Sequence, residues 1–169
     1  MTKTHLLSAL VENKPGVMQR VSGMFARRGF NIDNISVGPD KDPNYSRMTI
    51  TVRGDNAVLE QVVKQLNKLI SVIKVRDLKE KDAVSRELAL VKVSTSKAEA
   101  RTEIAQYVDV FRGSIVDVSQ DSMIVEITGD VDKINAFIGL MQPYGIKELA
   151  RTGVTAMHRG GRSITDSVK

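Results

Sequence analysis

His5-Leu6-Leu7-Ser8-Ala9-Leu10-Val11-Glu12 runs into Asn13-Lys14-Pro15-Gly16, and then into Val17-Met18-Gln19-Arg20-Val21-Ser22-Gly23-Met24-Phe25-Ala26-Arg27-Arg28-Gly29. The opening run is mostly apolar and stops at a turn signal, so it reads as a strand. In the second run Val17, Val21, Met24 and Phe25 recur at steps of three and four, with Arg20, Arg27 and Arg28 elsewhere. That is the spacing of an amphipathic helix. Gly29 stands where a left-handed residue closes a helix.

Working outward, Asn31 to Val37 reads as a short strand. Gly38 to Tyr45 holds Pro39, Asp40, Pro43 and Asn44, and reads as a loop. Arg47 to Arg53 alternates, with Met48, Ile50 and Val52 on one side and Thr49, Thr51 and Arg53 on the other. Asp55 is the expected N-cap of a helix whose stripe is Val58, Leu59, Val62, Val63, Leu66, Leu69 and Ile70. Val72 to Asp77 is a last strand. The order is strand, helix, strand, strand, helix, strand.

The polar, charged residues 79–86 read as a linker. The same order then recurs. Glu87 to Val93 is a strand, and Ser96 with Glu99 suggests a capping box for the next helix. Gly113 ends that helix. Ser114 to Val118 and Met123 to Thr128 are strands, Val131 to Met141 is a helix capped by Asp130, and Ile146 to Arg151 is the closing strand.

The expected fold is therefore α+β, with two ferredoxin-like βαββαβ domains in tandem, residues 1–78 and 87–153. Right-handed crossovers give each a four-stranded antiparallel sheet with both helices on one face. Residues 154–169, with Gly160-Gly161 and several cations, read as a flexible basic tail. Strand one is apolar on both sides, with Leu7, Ala9 and Val11 alternating with Leu6 and Leu10, so both of its faces need cover. The expectation is that the open face or edge packs on a second copy of the chain. The alternative is that the two halves of one chain cover each other.

Composition removes several function classes. The chain has 169 residues, 41% hydrophobic and 27% charged, the mixture of a soluble globular protein. No apolar run approaches the roughly 20 residues that cross a bilayer. The N-terminal residues lack the pattern of a leader peptide, which suits a cytoplasmic protein. Without cysteine there is no disulfide, thiolate nucleophile or Cys-based zinc site. Lys and Arg exceed Asp and Glu by 25 to 20, and residues 1–80 hold the whole excess, 13 basic against 8 acidic. These cations do not cluster, and the central strands carry no aromatics on which bases could stack, so nucleic acid is not expected. Only His5 and His158 are present, and neither a P-loop nor Gly-x-Gly-x-x-Gly occurs. No catalytic or metal site is expected.

The segment Glu12 to Met18 carries what chemistry there is. The first amides of a helix lack internal acceptors and the helix dipole makes that end electropositive, so a carboxylate can dock there. Gly16 allows close approach, and Asn13 offers both donor and acceptor. The plain alternative is a turn that uses Asn, Pro and Gly for its shape. Asn31, after the helix stop, reads by itself as a turn residue.

Those same segments carry a resemblance. Glu-Asn-Lys-Pro-Gly-Val-Met at 12–18, Phe-Ala-Arg-Arg-Gly-Phe-Asn-Ile at 25–32 and Ser-Arg-Met-Thr-Ile at 46–50 resemble an ACT domain. With Leu-Glu-Gln-Val-Val-Lys-Gln-Leu-Asn-Lys-Leu at 59–69, Arg-Glu-Leu-Ala-Leu-Val-Lys-Val at 86–93, Val-Phe-Arg-Gly-Ser-Ile-Val-Asp-Val at 110–118 and Ala-Arg-Thr-Gly-Val at 150–154, the chain resembles the small regulatory subunits of acetohydroxyacid (acetolactate) synthase. The resemblance implies a separate large catalytic subunit that holds thiamine diphosphate, magnesium and FAD. It implies a small subunit without catalysis that activates the large one and confers feedback inhibition by valine, in branched-chain amino-acid biosynthesis. It implies a homodimer through the ACT domain. The implied effector site takes Asn13, Lys14, Pro15, Gly16, Val17 and Met18 from one chain, and Asn31 and Ile32 from its partner. The valine side chain is expected in an apolar gap near Val17 and Ile32. A free-standing amino-acid-sensing ACT protein that regulates another enzyme or a transcription complex is the competing reading.

Overall fold

The apolar stripes close onto two sheets in the structure, a computed structural model that describes residues 3–166. The last three residues of the expected tail lie outside that range. The elements of the first repeat are β1 (Lys3–Glu12), α1 (Val17–Arg28), β2 (Ile32–Pro39), β3 (Tyr45–Gly54), α2 (Asn56–Asn67) and β4 (Val72–Asp77). Their sheet order is β2-β3-β1-β4, and every pairing is antiparallel. Leu7, Ala9 and Val11 of β1 and Met48, Ile50 and Val52 of β3 form the core with Val21, Met24 and Phe25 of α1 and Val62 and Leu66 of α2. Local signals act as expected. Gly29 is left-handed (φ 67°) and its N–H returns to the last turn of α1, while the Asp55 side chain accepts from the Val58 amide at 2.9 Å.

The second repeat supplies β5 (Ala83–Ser94), α3 (Ala98–Val110), β6 (Ser114–Val118), β7 (Ser122–Gly129), α4 (Val131–Met141) and β8 (Ile146–Arg151). The sheet order β6-β7-β5-β8 repeats that of the first sheet. Its core joins Ala89, Val91, Val93, Val125 and Ile127 to Ile104, Val108, Ile134 and Phe137. Asp130 caps α4 through the Lys133 amide at 2.8 Å. Buried Glu87 receives two bonds of 2.7 Å from the Arg151 guanidinium, which also reaches Asn135 at 3.0 Å. This fork ties β8 to β5 and α4.

Four expectations are corrected. The 38–45 loop is shorter than expected, because β2 runs on to Pro39 and β3 begins at Tyr45. Ser96 does not cap α3: the cap position is Lys97, without a side-chain bond, and the Ser94 and Ser96 hydroxyls bond each other at 2.9 Å. The 79–86 segment is only partly a linker, since Glu80–Asp82 form a 3-10 turn and β5 begins at buried Ala83.

The tail is the largest correction. Residues 154–166 form a compact unit with residues 3–84, while Ser85–Gly153 form the other unit. Thr155–His158 is a ninth strand, β9. Val154, Ala156 and Ile164 are buried, and Leu6 of β1 packs with Leu78, Ala83, Val154 and Ala156. The back face of the first sheet is therefore covered, around Leu6, by the chain's own C-terminal segment. The physical reason is apolar anchoring plus main-chain hydrogen bonds to side chains of the sheet. The Gly160-Gly161 pair serves as a turn, with Gly160 at φ 67°.

Candidate functional site

The turn between β1 and α1 is held by the strands around it. The Glu12 amide donates to the Ser71 carbonyl at 2.8 Å, and the Asn13 amide to the Asn44 carbonyl at 2.7 Å. The Asn13 side-chain amide donates to the Pro43 carbonyl at 2.9 Å, which leaves its oxygen and its second N–H for other partners. Lys14 reaches back to Glu12 at 3.2 Å across solvent-exposed surface. Pro15 has no amide to satisfy. Gly16 is left-handed, with φ 84°, and nothing lies within 4 Å of where its Cβ would stand.

Gly16 is also the N-cap of α1, and no side chain caps that helix. A glycine cap leaves the first-turn amides without an intramolecular side-chain acceptor. Arg20 then closes the first turn with its amide on the Gly16 carbonyl at 3.0 Å. The Val17 side chain is only 4% exposed and belongs to the core. Met18 is 41% exposed beside it.

Asn31 and Ile32 lie elsewhere. The Asn31 amide donates to Asp33 at 3.1 Å, and Asp33 pairs with Arg53 at 3.1 Å. Ile32 is half-buried and packs on the core. The register gives the separation within one chain. Glu12 stands opposite Tyr45 of β3, whereas Ile32 stands opposite Val52. Seven residues of strand are roughly 23 Å at ~3.3 Å each. Asn13–Met18 form one cluster at one end of the sheet, and Asn31–Ile32 sit at the other.

Among the described residues no group of three or more His, Asp and Glu side chains is gathered as a metal ion requires, and no helix is long and apolar enough to cross a membrane. Sequence reasoning missed the contacts that hold the C-terminal segment. The Val154 amide donates to Asn34 Oδ1 at 3.2 Å, Ser36 Oγ donates to the Val154 carbonyl at 2.7 Å, and the Ala156 amide donates to Thr49 Oγ1 at 3.3 Å. The available signal was polar side chains on β2 and β3 facing the same side as apolar Leu6 and Leu10.

Comparison with known proteins identifies the family. A family model for an AHAS small subunit-like ACT domain matches residues 7–74, and one for the small subunit of acetolactate synthase matches residues 86–160. The chain belongs to the acetolactate synthase small-subunit family. A probable acetolactate synthase small subunit from Methanothermobacter thermautotrophicus is 61% identical over 161 residues, covering 95% of this chain and 96% of that protein. The acetolactate synthase small subunit of Mycolicibacterium smegmatis is 50% identical over 96% of this chain and 95% of its own length. The crystal structure of the acetolactate synthase small subunit from Thermotoga maritima superposes with a TM-score of 0.88 at 47% identity, covering 95% of this chain and 99% of that one. The tandem ferredoxin-like architecture is therefore that of the acetolactate synthase small subunits.

Proposed function

We propose that this chain is a regulatory subunit of acetolactate synthase, without catalysis of its own, acting in the cytoplasm in branched-chain amino-acid biosynthesis. It binds the separate catalytic subunit, which supplies thiamine diphosphate, magnesium and FAD, and raises its activity. It also confers feedback inhibition by valine. The effector site is completed by a homodimer through the ACT domain. Gly16 to Met18 present amides to the valine carboxylate, Asn13 and the partner's Asn31 orient its polar groups, and its side chain enters the gap near Val17 and the partner's Ile32, beside Met18 of the first chain. Lys14 and Pro15 shape the turn.

The observation that carries this reading is the separation of the two halves of the site. One chain holds them at opposite ends of its sheet, and β2 is an edge strand. Two copies joined antiparallel along β2 put the start of one β2 beside the end of the other. The end of β2 neighbours the start of β3, and hence Glu12 and Asn13. Each dimer then holds two complete sites. Valine regulates by binding one arrangement of the dimer better than another, because a ligand indifferent to the two shifts nothing. A coupling of about 1–3 kcal/mol gives a 5- to 150-fold effect.

Reconstitution tests the reading. Purified catalytic subunit is assayed alone, with this chain, and with this chain plus valine, leucine or isoleucine. Activation by the chain and its reversal by valine are expected. A catalytic subunit indifferent to the chain overturns the proposal.

A further inference from the structure

The C-terminal segment meets the sheet in an unusual way: side chains stand in for a strand edge. Asn34 and Ser36, two residues apart on β2, grip one peptide group each side of Val154, accepting from its amide at 3.2 Å and donating to its carbonyl at 2.7 Å. Further along, Arg159 donates to the Ala83 carbonyl at 2.9 Å and Arg76 to the Asp166 carbonyl at 2.6 Å. Buried Val154, Ala156 and Ile164 fill the space beneath. The grip falls beside the one irregularity in the β2–β3 register, between Ile32 and Asn34. Asn31 and Ile32 directly precede the extra residue of that irregularity, Asp33, to which the Asn31 side chain donates at 3.1 Å.

We propose that residues 154–166 are a strap whose docking is coupled to effector binding, with Asn34 and Ser36 as positioning residues that hold the Asn31–Ile32 end of β2 in its binding-competent place. The inference rests on the effector reading above. Within one chain β3 is the sheet partner of the edge strand β2, so the strap is a second tether supplied by the same chain. Linkage then works in both directions: a ligand that prefers tethered β2 tightens the strap, and loss of the tether weakens the ligand by the same factor.

The test uses the full chain. Amide exchange of Val154 and Ala156 is followed without and with valine, and valine affinity is measured by calorimetry for the unaltered protein, Ser36→Ala and Ser36→Thr. Valine is expected to slow exchange at both amides. Ser36→Ala is expected to weaken valine binding about three- to tenfold, the worth of one hydrogen bond, and Ser36→Thr to restore it by keeping the hydroxyl. Exchange that is unchanged or faster with valine overturns the strap, as does Ser36→Ala binding valine like the unaltered protein. In those cases valine binding itself stands. If the unaltered chain takes up no valine, leucine or isoleucine, the effector reading and the strap coupling fall together, before any variant is used. Should Ser36→Ala lose its fold by circular dichroism, the exchange measurement on the unaltered chain decides.

Discussion

The two repeats share one order of elements and one sheet order, yet their back faces and their strand–helix junctions differ. In the first unit the back face is buried: Leu10 is 3% exposed, Ser8 and Thr49 1%. In the second, Leu90 is 38% and Val116 52% exposed. At the first junction a left-handed glycine opens α1 with nothing over it. At the second, Ser94-Thr95-Ser96-Lys97 opens α3, and a cavity of about 450 Å³ there is lined by Tyr144, whose hydroxyl donates to Glu103 at 2.6 Å. The lesson is that one fold can be kept by its core stripe alone, while the turn chemistry and the second face are free to diverge toward separate tasks.

Removing the largest buried ring from each core breaks the comparison hardest. Phe25→Ala and Phe137→Ala should each cost about 3–5 kcal/mol. Unfolding followed by residue-resolved amide exchange is expected to show each loss in its own unit. Equal loss of protection in both units for either variant would mean that the repeats unfold as one body.

The back faces differ by the next-largest amount. Leu10→Ala should destabilise by about 2–4 kcal/mol, and Leu90→Ala by less than about 0.5 kcal/mol, measured by chemical denaturation. A large cost at Leu90 would show that the second back face is also covered in solution.

At the junctions the effect is regulatory. Gly16→Asp places a carboxylate at the proposed position of the effector's own, and should abolish valine inhibition while activation of the catalytic subunit is retained. Its stability cost should stay near 1 kcal/mol, since Asp tolerates a left-handed backbone better than most residues. The counterpart change Lys97→Asp should leave valine inhibition intact. Inhibition lost in Lys97→Asp but kept in Gly16→Asp would move the site to the second unit.

The smallest effect is a titration. The Glu103 hydrogen bond pushes the Tyr144 hydroxyl up from 10.0 to about 12. Its protonated form is favoured in the folded chain, so its contribution is full below pH 10 and fades as the pH rises toward 12. Tyrosinate absorbance of Glu103→Gln should show one tyrosine returning toward its ordinary value.

Much of this fold was legible in the residues. Val17, Val21, Met24 and Phe25 repeat over enough turns to declare α1, and Asp55 and Asp130 precede their helices with the side chain that caps them. Ser96 misled because its hydroxyl had a nearer partner in Ser94. The strap was not legible, since Val154 and Ala156 give only two alternating apolar positions and the grip comes from Asn34 and Ser36, more than a hundred residues earlier. The eight residues of the proposed effector site were named from resemblance, and their spacing alone also fits plain turns. That Asn13 and Asn31 lie at opposite ends of one sheet depends on strand register, which local pattern does not carry.

Mixing two defective proteins tests the shared site most directly. In the proposed dimer Gly16→Asp and Asn31→Ala should each spoil both sites, but a mixed dimer should gather both defects in one site and leave the other intact. Valine binding measured after the two are unfolded and refolded together should recover well above either parent. A mixture that binds no more valine than its parents would contradict a site built from two chains.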